Sequence, residues 1–345
     1  MSRLLIAARV SGVLITSLSF ASVAQAQPAR TADSVIRYVD AALDTLRRVA
    51  LRRDSVDWKS LRDSVLARTA GAQRTQETWP ALQWALQQVD RHSFLQTPEP
   101  PSPARAPNDS SSPPAPRPRP PAVAGRLLEG RFGYVLVPWF PGTSRPTFVD
   151  SLQNLIREQD TAGACGWVVD LRRNQGGNMW PMLAGVGPLL GDSIFGAFVV
   201  SGQRDTPWRY VRGNAWAGPD SVPNWAARGS QPPYETRVRY APVAVLLGRE
   251  TGSSGEATAI GFLGRPNVRT FGDSTRGFAS INNGYPLPDG ATMVITIGYS
   301  RDRTGRQYGL RLTPDEAVPQ SDDLHDAALA RAVEWLRRHS LCANR

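Results

Sequence analysis

Two short stretches of this sequence hold residue types suited to acyl-transfer chemistry. Residues 243–263, VAVLLGRETGSSGEATAIGFL, run from an apolar segment through a Gly/Ser turn into a helix-patterned segment. That order places Ser253 or Ser254 at a helix N-terminus, where free backbone N–H groups and the positive end of the dipole favour negative charge. A serine nucleophile gains from such a position because the tetrahedral intermediate carries an oxyanion. Serine is also a preferred N-cap, so a structural role fits the same residues. Residues 170–179, DLRRNQGGNM, repeat the design: Asp170 ends an apolar run, and Gly176 and Gly177 stand at the entry to a helix. Glycines let the backbone approach a ligand closely, and their N–H groups can line an oxyanion hole. No Lys-Ser or Lys-Thr follows them, which excludes a P-loop. No His/Cys/Asp cluster has ligand spacing, so neither a metal nor another cofactor is expected.

These turns need a scaffold, and hydrophobic periodicity outlines one. Residues 31 to about 96 read as helical. Val35, Val39, Ala42, Leu43 and Leu46 fall on one face, with further helices from Trp58 and from Trp79. Residues 98–123 are rich in Pro, Ser and Arg and nearly free of large apolar side chains, the composition of an extended, disordered linker. From residue 124 to 345 strand-like and helix-like runs alternate, with strands at 132–137, 166–171, 194–200, 243–247, 268–271 and 292–297. Helices are expected at 147–158, 180–190, 254–263 and 326–338. Such alternation argues for an α/β core preceded by a small helical domain over 27–97.

The bulk properties set the compartment. Arg3 and Arg9 precede an apolar stretch, Val10 to Val23, that is followed by Ala24-Gln25-Ala26, the pattern of a secretory signal over residues 1–26. Export to the periplasm or beyond is therefore expected, with no membrane span in the mature chain. Export permits a disulfide, but the two cysteines, Cys165 before an apolar run and Cys342 in the tail, are not a framework in themselves. The net charge of +10 comes almost wholly from scattered arginines, without an aromatic-interleaved stripe, so nucleic acid is not an expected partner.

Three ordered segments resemble the tail-specific, or C-terminal processing, peptidases (the S41 serine peptidases). DLRRNQGGN is similar to their DLRxNxGG signature, and TGSSGEA to their nucleophile segment. GDSTRGFASINNGYPLPDGATMVITIGYSRDRTGRQYGLRLTPDEAV is similar to the GExTxGK…PLxDG…PD tract that follows. The resemblance implies a mixed α/β core related to the crotonase and Clp protease folds, and a serine that cuts peptides, often near the C-terminus. It sets Ser253 on the nucleophile and makes Ser254, with Gly176 or Gly177, an oxyanion N–H donor. Glu256 falls on the family's acidic position, where a first-turn carboxylate facing the dipole is the plainer reading.

The departures from that family are as informative. Its best-known members pair the serine with a lysine in the GK step, yet here that position is Phe278. The only lysine, Lys59, lies in the N-terminal helical region. Another base must activate Ser253, because a free hydroxyl is a poor nucleophile. His92, in VDRHSFL beside Ser93, resembles the tricorn-like branch of the family, in which a His preceding the core and adjacent to a Ser is the general base. Imidazole suits that task near neutral pH. The structural alternative is a capping residue at a helix C-terminus. His325 and His339 fall on or beside the C-terminal helix and read as surface residues. The acid that orients the histidine in the tricorn-like branch has no clear counterpart; Arg306 stands near Tyr308, and Asp302, Asp315 and Glu316 are the nearby carboxylates. Asn282 falls where dyad members have a Gln, and either bonds within the site or caps a turn with Asn283 and Gly284. The PDZ domain of the dyad members is replaced by the proline-rich segment alone.

The sequence thus reads as an exported serine peptidase acting on a peptide or unfolded protein. An apolar-ligand or peptide-binding protein on the same fold, as in the similar retinoid-binding repeats, and an esterase are the rival readings. The peptidase reading predicts the glycine loop beside Ser253 and His92 within reach of its Oγ. It also predicts first cleavage by protease in the 98–123 linker, and activity rising with pH through the imidazole pKa, about 6 to 7 for an unperturbed ring.

Overall fold

The computed structural model describes residues 30–98, 122–142, 145–319 and 326–343. The signal pattern over 1–26, nearly all of the proline-rich segment and His325 lie outside the described residues.

Three helices come first: α1 (Asp33–Val49), α2 (Trp58–Arg68) and α3 (Trp79–Val89). The apolar face of α1 buries Val39, Leu43 and Leu46 against Leu61 and Val65 of α2 and Leu82 and Leu86 of α3. Helix does not continue to residue 96. The Asp90 carboxylate accepts the His92 N–H at 2.9 Å, a local turn that competes with the helix, and the chain then extends into β1 (Phe94–Gln96).

The core follows as β2 (Ala124–Leu128), β3 (Phe132–Leu136), α4 (Arg145–Thr161), β4 (Gly166–Asp170), α5 (Met179–Leu190), β5 (Ser193–Val199), β6 (Thr206–Val211) and β7 (Asn214–Ala217). It continues through β8 (Val243–Leu247), α6 (Ser254–Phe262), β9 (Val268–Gly272), β10 (Ser280–Pro286), β11 (Thr292–Asp302), β12 (Gln307–Tyr308) and β13 (Glu316–Ala317) to α7 (Ala327–Arg338) and α8 (Ser340–Ala343). One sheet runs β13-β9-β8-β4-β3-β2 and is parallel except for β2. The other is antiparallel, β1-β11-β5-β6-β7, with β10 and β12 also on β11. Both faces of the central strands β4 and β8 are covered, which is why they read as largely apolar runs, while β2, β9 and β13 nearer the edges carry polar residues. Val243, Val245 and Leu247 of β8 join the main core, while Ala244 and Leu246 pack with Leu336 of α7 on the other face. Among the described residues no helix is long and apolar enough to cross a membrane.

Two ties matter for the site. Cys165, just before β4, is disulfide-bonded to Cys342 of α8, 177 residues away, and so fixes the C-terminus under the parallel sheet. The sequence alone left that pairing open. At the other end β1 pairs with β11, Phe94 opposite Val294, and Met293 and Ile295 of β11 complete the helical cluster. Tyr38 Oη and Trp79 Nε1 both donate to Asp289, at 2.8 and 2.9 Å. The helices are thereby joined to the core through a shared sheet, and the segment between α3 and β1 is held against it.

Candidate active site

Strands β4 and β8 are parallel neighbours, with Asp170 opposite Leu246, so the loops after them leave the same sheet edge. They are hydrogen-bonded to each other. Thr251 Oγ1 donates to the Leu171 carbonyl at 2.8 Å, and the Gly252 N–H to the Asn174 carbonyl at 3.0 Å. Buried Asn174 also donates to the Val137 carbonyl at 3.1 Å and accepts the Gly176 N–H at 3.0 Å. A Cβ on Gly255 would lie 2.3 Å from the Asn174 carbonyl oxygen, which explains the glycine in SSGE.

Ser253 sits at the N-terminus of α6 with φ 51° and ψ −118°, a conformation that a serine rarely adopts. Such strain costs on the order of 1–3 kcal/mol and persists only where the surroundings enforce it. Glu256 is one enforcing group. Fully buried, it accepts the Ser253 N–H at 2.9 Å, the Gly277 N–H at 2.9 Å, the Phe278 N–H at 2.7 Å and the Thr275 hydroxyl. Burial pushes its carboxyl up, against the pull of those four donors. Glu256 thus locks the serine turn to residues 275–278.

The glycine loop lies against this turn: a Cβ on Gly176 would fall 3.0 Å from Ser253 Cβ. Because the Gly176 N–H is taken by Asn174, it is not available to an oxyanion. The Gly177 and Ser254 N–H groups have no hydrogen-bond partner among the described residues. The Ser254 hydroxyl donates to the Gly177 carbonyl at 2.5 Å and so ties these two residues together.

His92 Nε2 lies 3.2 Å from Ser253 Oγ, and Nδ1 lies 2.9 Å from Ser280 Oγ. With Nδ1 protonated and donating to Ser280, Nε2 is left as an acceptor for the Ser253 hydroxyl. Phe278 stacks on the imidazole at 4.8 Å between ring centres and 10° between planes. Asn282 donates to the His92 carbonyl at 2.9 Å. Burial pushes the imidazole pKa down to about 4; Asp90 pulls it up and does not prevail. The ordinary value, expected of an unperturbed imidazole, therefore does not apply to this buried ring. Beside the pair a cavity of about 280 Å³ is walled by Phe94, Met179, Phe198, Ala257, Ile281 and Val294.

The model of peptidase family S41 matches residues 131–318, more than half of the chain. The chain belongs to that family. It is 29% identical over 305 residues to the nisin-resistance protein of Lactococcus lactis subsp. lactis, covering 87% of this chain and 86% of the relative. A lipoprotein from Streptococcus agalactiae has a TM-score of 0.66 at 20% identity over 92% of this chain and 99% of its own. The photosystem II D1 C-terminal processing protease has a TM-score of 0.53 at 16% identity over 84% and 94%. These two likenesses are of fold, and they agree with the mixed α/β architecture expected from the sequence.

Within this S41 chain, Phe278 stands at the position read from the sequence as that of the dyad lysine, and its ring packs flat on the histidine. The carboxylates considered as partners of His92 are engaged elsewhere. Asp302 accepts from Thr304 and, at 2.8 Å, from Tyr308 Oη; Asp315 accepts the Thr270 N–H at 2.8 Å; Glu316 pairs with Arg269 and Arg331. Asp170 accepts Tyr134 Oη at 2.7 Å and pairs with Arg172, which braces the start of the glycine loop rather than touching Ser253. Ser93 accepts the Thr296 N–H at 2.9 Å and so pins β11. Asn282 lies in β10, not in a turn, and accepts from Thr296 Oγ1 at 3.0 Å. His339 packs edge-on against Trp335 beyond α7, on the other face of the parallel sheet. Sequence reasoning missed Ser280. The signal was present in FASIN: as an extended segment it presents Phe278, Ser280 and Asn282 in alternation, and all three touch His92. The Asn-Asn-Gly that follows looked like a turn and hid it.

Proposed function

We propose that the protein is an exported serine peptidase in which Ser253 is the nucleophile and His92 the base. Ser253 Oγ attacks the carbonyl carbon of a peptide bond as Nε2 takes its proton. The Gly177 and Ser254 N–H groups hold the oxyanion. The imidazolium then gives its proton to the leaving amine, and the C–N bond breaks. A water deprotonated by the same nitrogen hydrolyses the acyl-enzyme. Ser280 orients the ring from Nδ1, the part a carboxylate plays in better-known triads. The observation that carries the reading is the 3.2 Å contact between Nε2 and a serine held at positive φ. A protein that only binds ligands has no use for strain at that residue. Export is supported by the signal pattern at 1–26 and by the Cys165–Cys342 bond, which suits an oxidising compartment. The fold likeness to a lipoprotein agrees with a place at the cell envelope. The name of the nisin-resistance relative makes nisin a substrate to try.

The test is hydrolysis of a peptide library, with mass spectrometry to locate a fluorophosphonate adduct. The expected result is an adduct on Ser253 and no peptide cleavage by Ser253→Ala. Cleavage by Ser253→Ala at the wild-type rate would refute the assignment. An adduct with ester hydrolysis but no peptide hydrolysis would favour an esterase.

A further inference from the structure

A second cleft, about 560 Å³, opens on the other side of His92, and its walls differ from those of the apolar cavity. Four arginines line it, Arg52, Arg91, Arg276 and Arg311, with Asp90 as its only carboxylate. Asp90 is already paired with Arg52, at 3.2 Å. Arg91, Arg276 and Arg311 have no carboxylate within salt-bridge distance among the described residues. Two of them are anchored at the catalytic turn. The Arg276 N–H donates to the Thr251 carbonyl at 2.8 Å, and its side chain packs where a Cβ on Gly252 would meet Arg276 Cδ at 3.1 Å. Its guanidinium lies 5.6 Å from the centre of the Phe278 ring that stacks on His92. Arg311 packs on Gly277, where a Cβ would meet its Cγ at 3.0 Å.

The chemistry assigns a side to each space. The acyl part of the substrate must lie by Ser253 and the oxyanion donors, and Ser253, Ser254 and Gly177 line the apolar cavity. The leaving amine must lie by His92, which protonates it, and beyond His92 the chain meets the arginines. We infer that this cleft binds a carboxylate on the leaving-group side of the substrate, held by Arg276 and Arg311. Guanidinium forks match carboxylates, and several unpaired ones beside one base make a receptor for an anion. The carboxylate is either the C-terminus of the peptide or an acidic side chain. The inference rests on the peptidase reading for its orientation alone.

The test is equilibrium binding by calorimetry to full-length mature Ser253→Ala, so that it does not depend on turnover. Three matched peptides are compared: one ending in a free acid, its C-terminal amide, and the amide with Asp in place of the last residue. The expected result is that at least one carboxylate peptide binds about 10-fold or more tightly than the neutral amide. Tight binding of the free acid alone identifies the C-terminus as the source, and of both acids, either source. Adding Arg276→Gln and Arg311→Gln should remove the preference while the thermal midpoint is kept. Should that variant fail to fold, the preference must shrink when salt is raised from about 0.05 to 0.5 M in the Ser253→Ala protein. Equal affinity for all three peptides, or a preference that survives the arginine substitutions, would overturn the inference. A fluorophosphonate adduct on wild-type Ser253 tests the peptidase reading separately.

Discussion

The two loops that leave the parallel sheet side by side solve one backbone problem in opposite ways. After β4 the chain passes through positive φ at Gly176 and Gly177, 115° and 108°, where glycine bears little cost. After β8 it passes through positive φ at Ser253, 51°, where a side chain is penalised. Glycine would serve there equally well for folding. A serine stands there instead, its N–H held by buried Glu256 and its hydroxyl facing His92, and the proposed division of labour, side-chain chemistry from that loop and backbone donors from the first, rests on this contrast.

The contrast can be broken by substitution. Ser253→Gly makes the second loop like the first. Turnover should fall by roughly 10⁴-fold or more, since members of a catalytic unit are strongly non-additive. Stability should hold or rise by about 1 kcal/mol, as relieved strain outweighs the flexibility of glycine. A loss of more than about 2 kcal/mol in denaturant unfolding would show that the strain argument is wrong. The reverse exchange is Gly177→Ala. Its Cβ would lie 2.0 Å from the Phe140 carbonyl oxygen, so the loop must shift and misplace the donor. A rate loss of about 10²- to 10³-fold is expected, the cost of one oxyanion donor, with KM less affected than kcat. An unchanged kcat would remove the loop from the mechanism. Ser280→Ala should have a smaller effect. It leaves the buried Nδ1–H unpaired, at about 1–3 kcal/mol, so kcat should fall by about 10- to 100-fold. Ser280→Thr, which keeps a hydroxyl, should restore part of it; equal kcat in both variants would deny Ser280 a positioning role.

How much of this was legible beforehand depended on the kind of signal. The central parallel strands were readable because both faces are buried and the runs are apolar throughout in β8 and up to Asp170 in β4. Strands β6 and β10 were not: Pro207 interrupts one, and Asn283-Gly284 suggests a turn in the other. The glycine loop and Ser253 were visible from the order of residues. Which glycine keeps its N–H free was not, because that is set by Asn174 reaching back across its own loop. His92 was singled out through a family likeness; its depressed pKa is a property of burial, and its Nδ1 partner Ser280 lies 188 residues away, neither of which a local pattern encodes.

That depressed value gives the account its most direct test. A base must be neutral to accept the proton of Ser253, so reactivity should rise with pH through the pKa of folded His92. The rate of fluorophosphonate labelling of Ser253, measured in short pulses from about pH 3.5 to pH 8, should be flat over the upper range. It should fall by half near pH 4, and His92→Ala should be labelled far more slowly throughout. A His92→Ala protein labelled as fast as wild type would contradict the Ser253–His92 assignment, and a midpoint at the unperturbed histidine value, about 6.5, would contradict the depression of the imidazole pKa by burial.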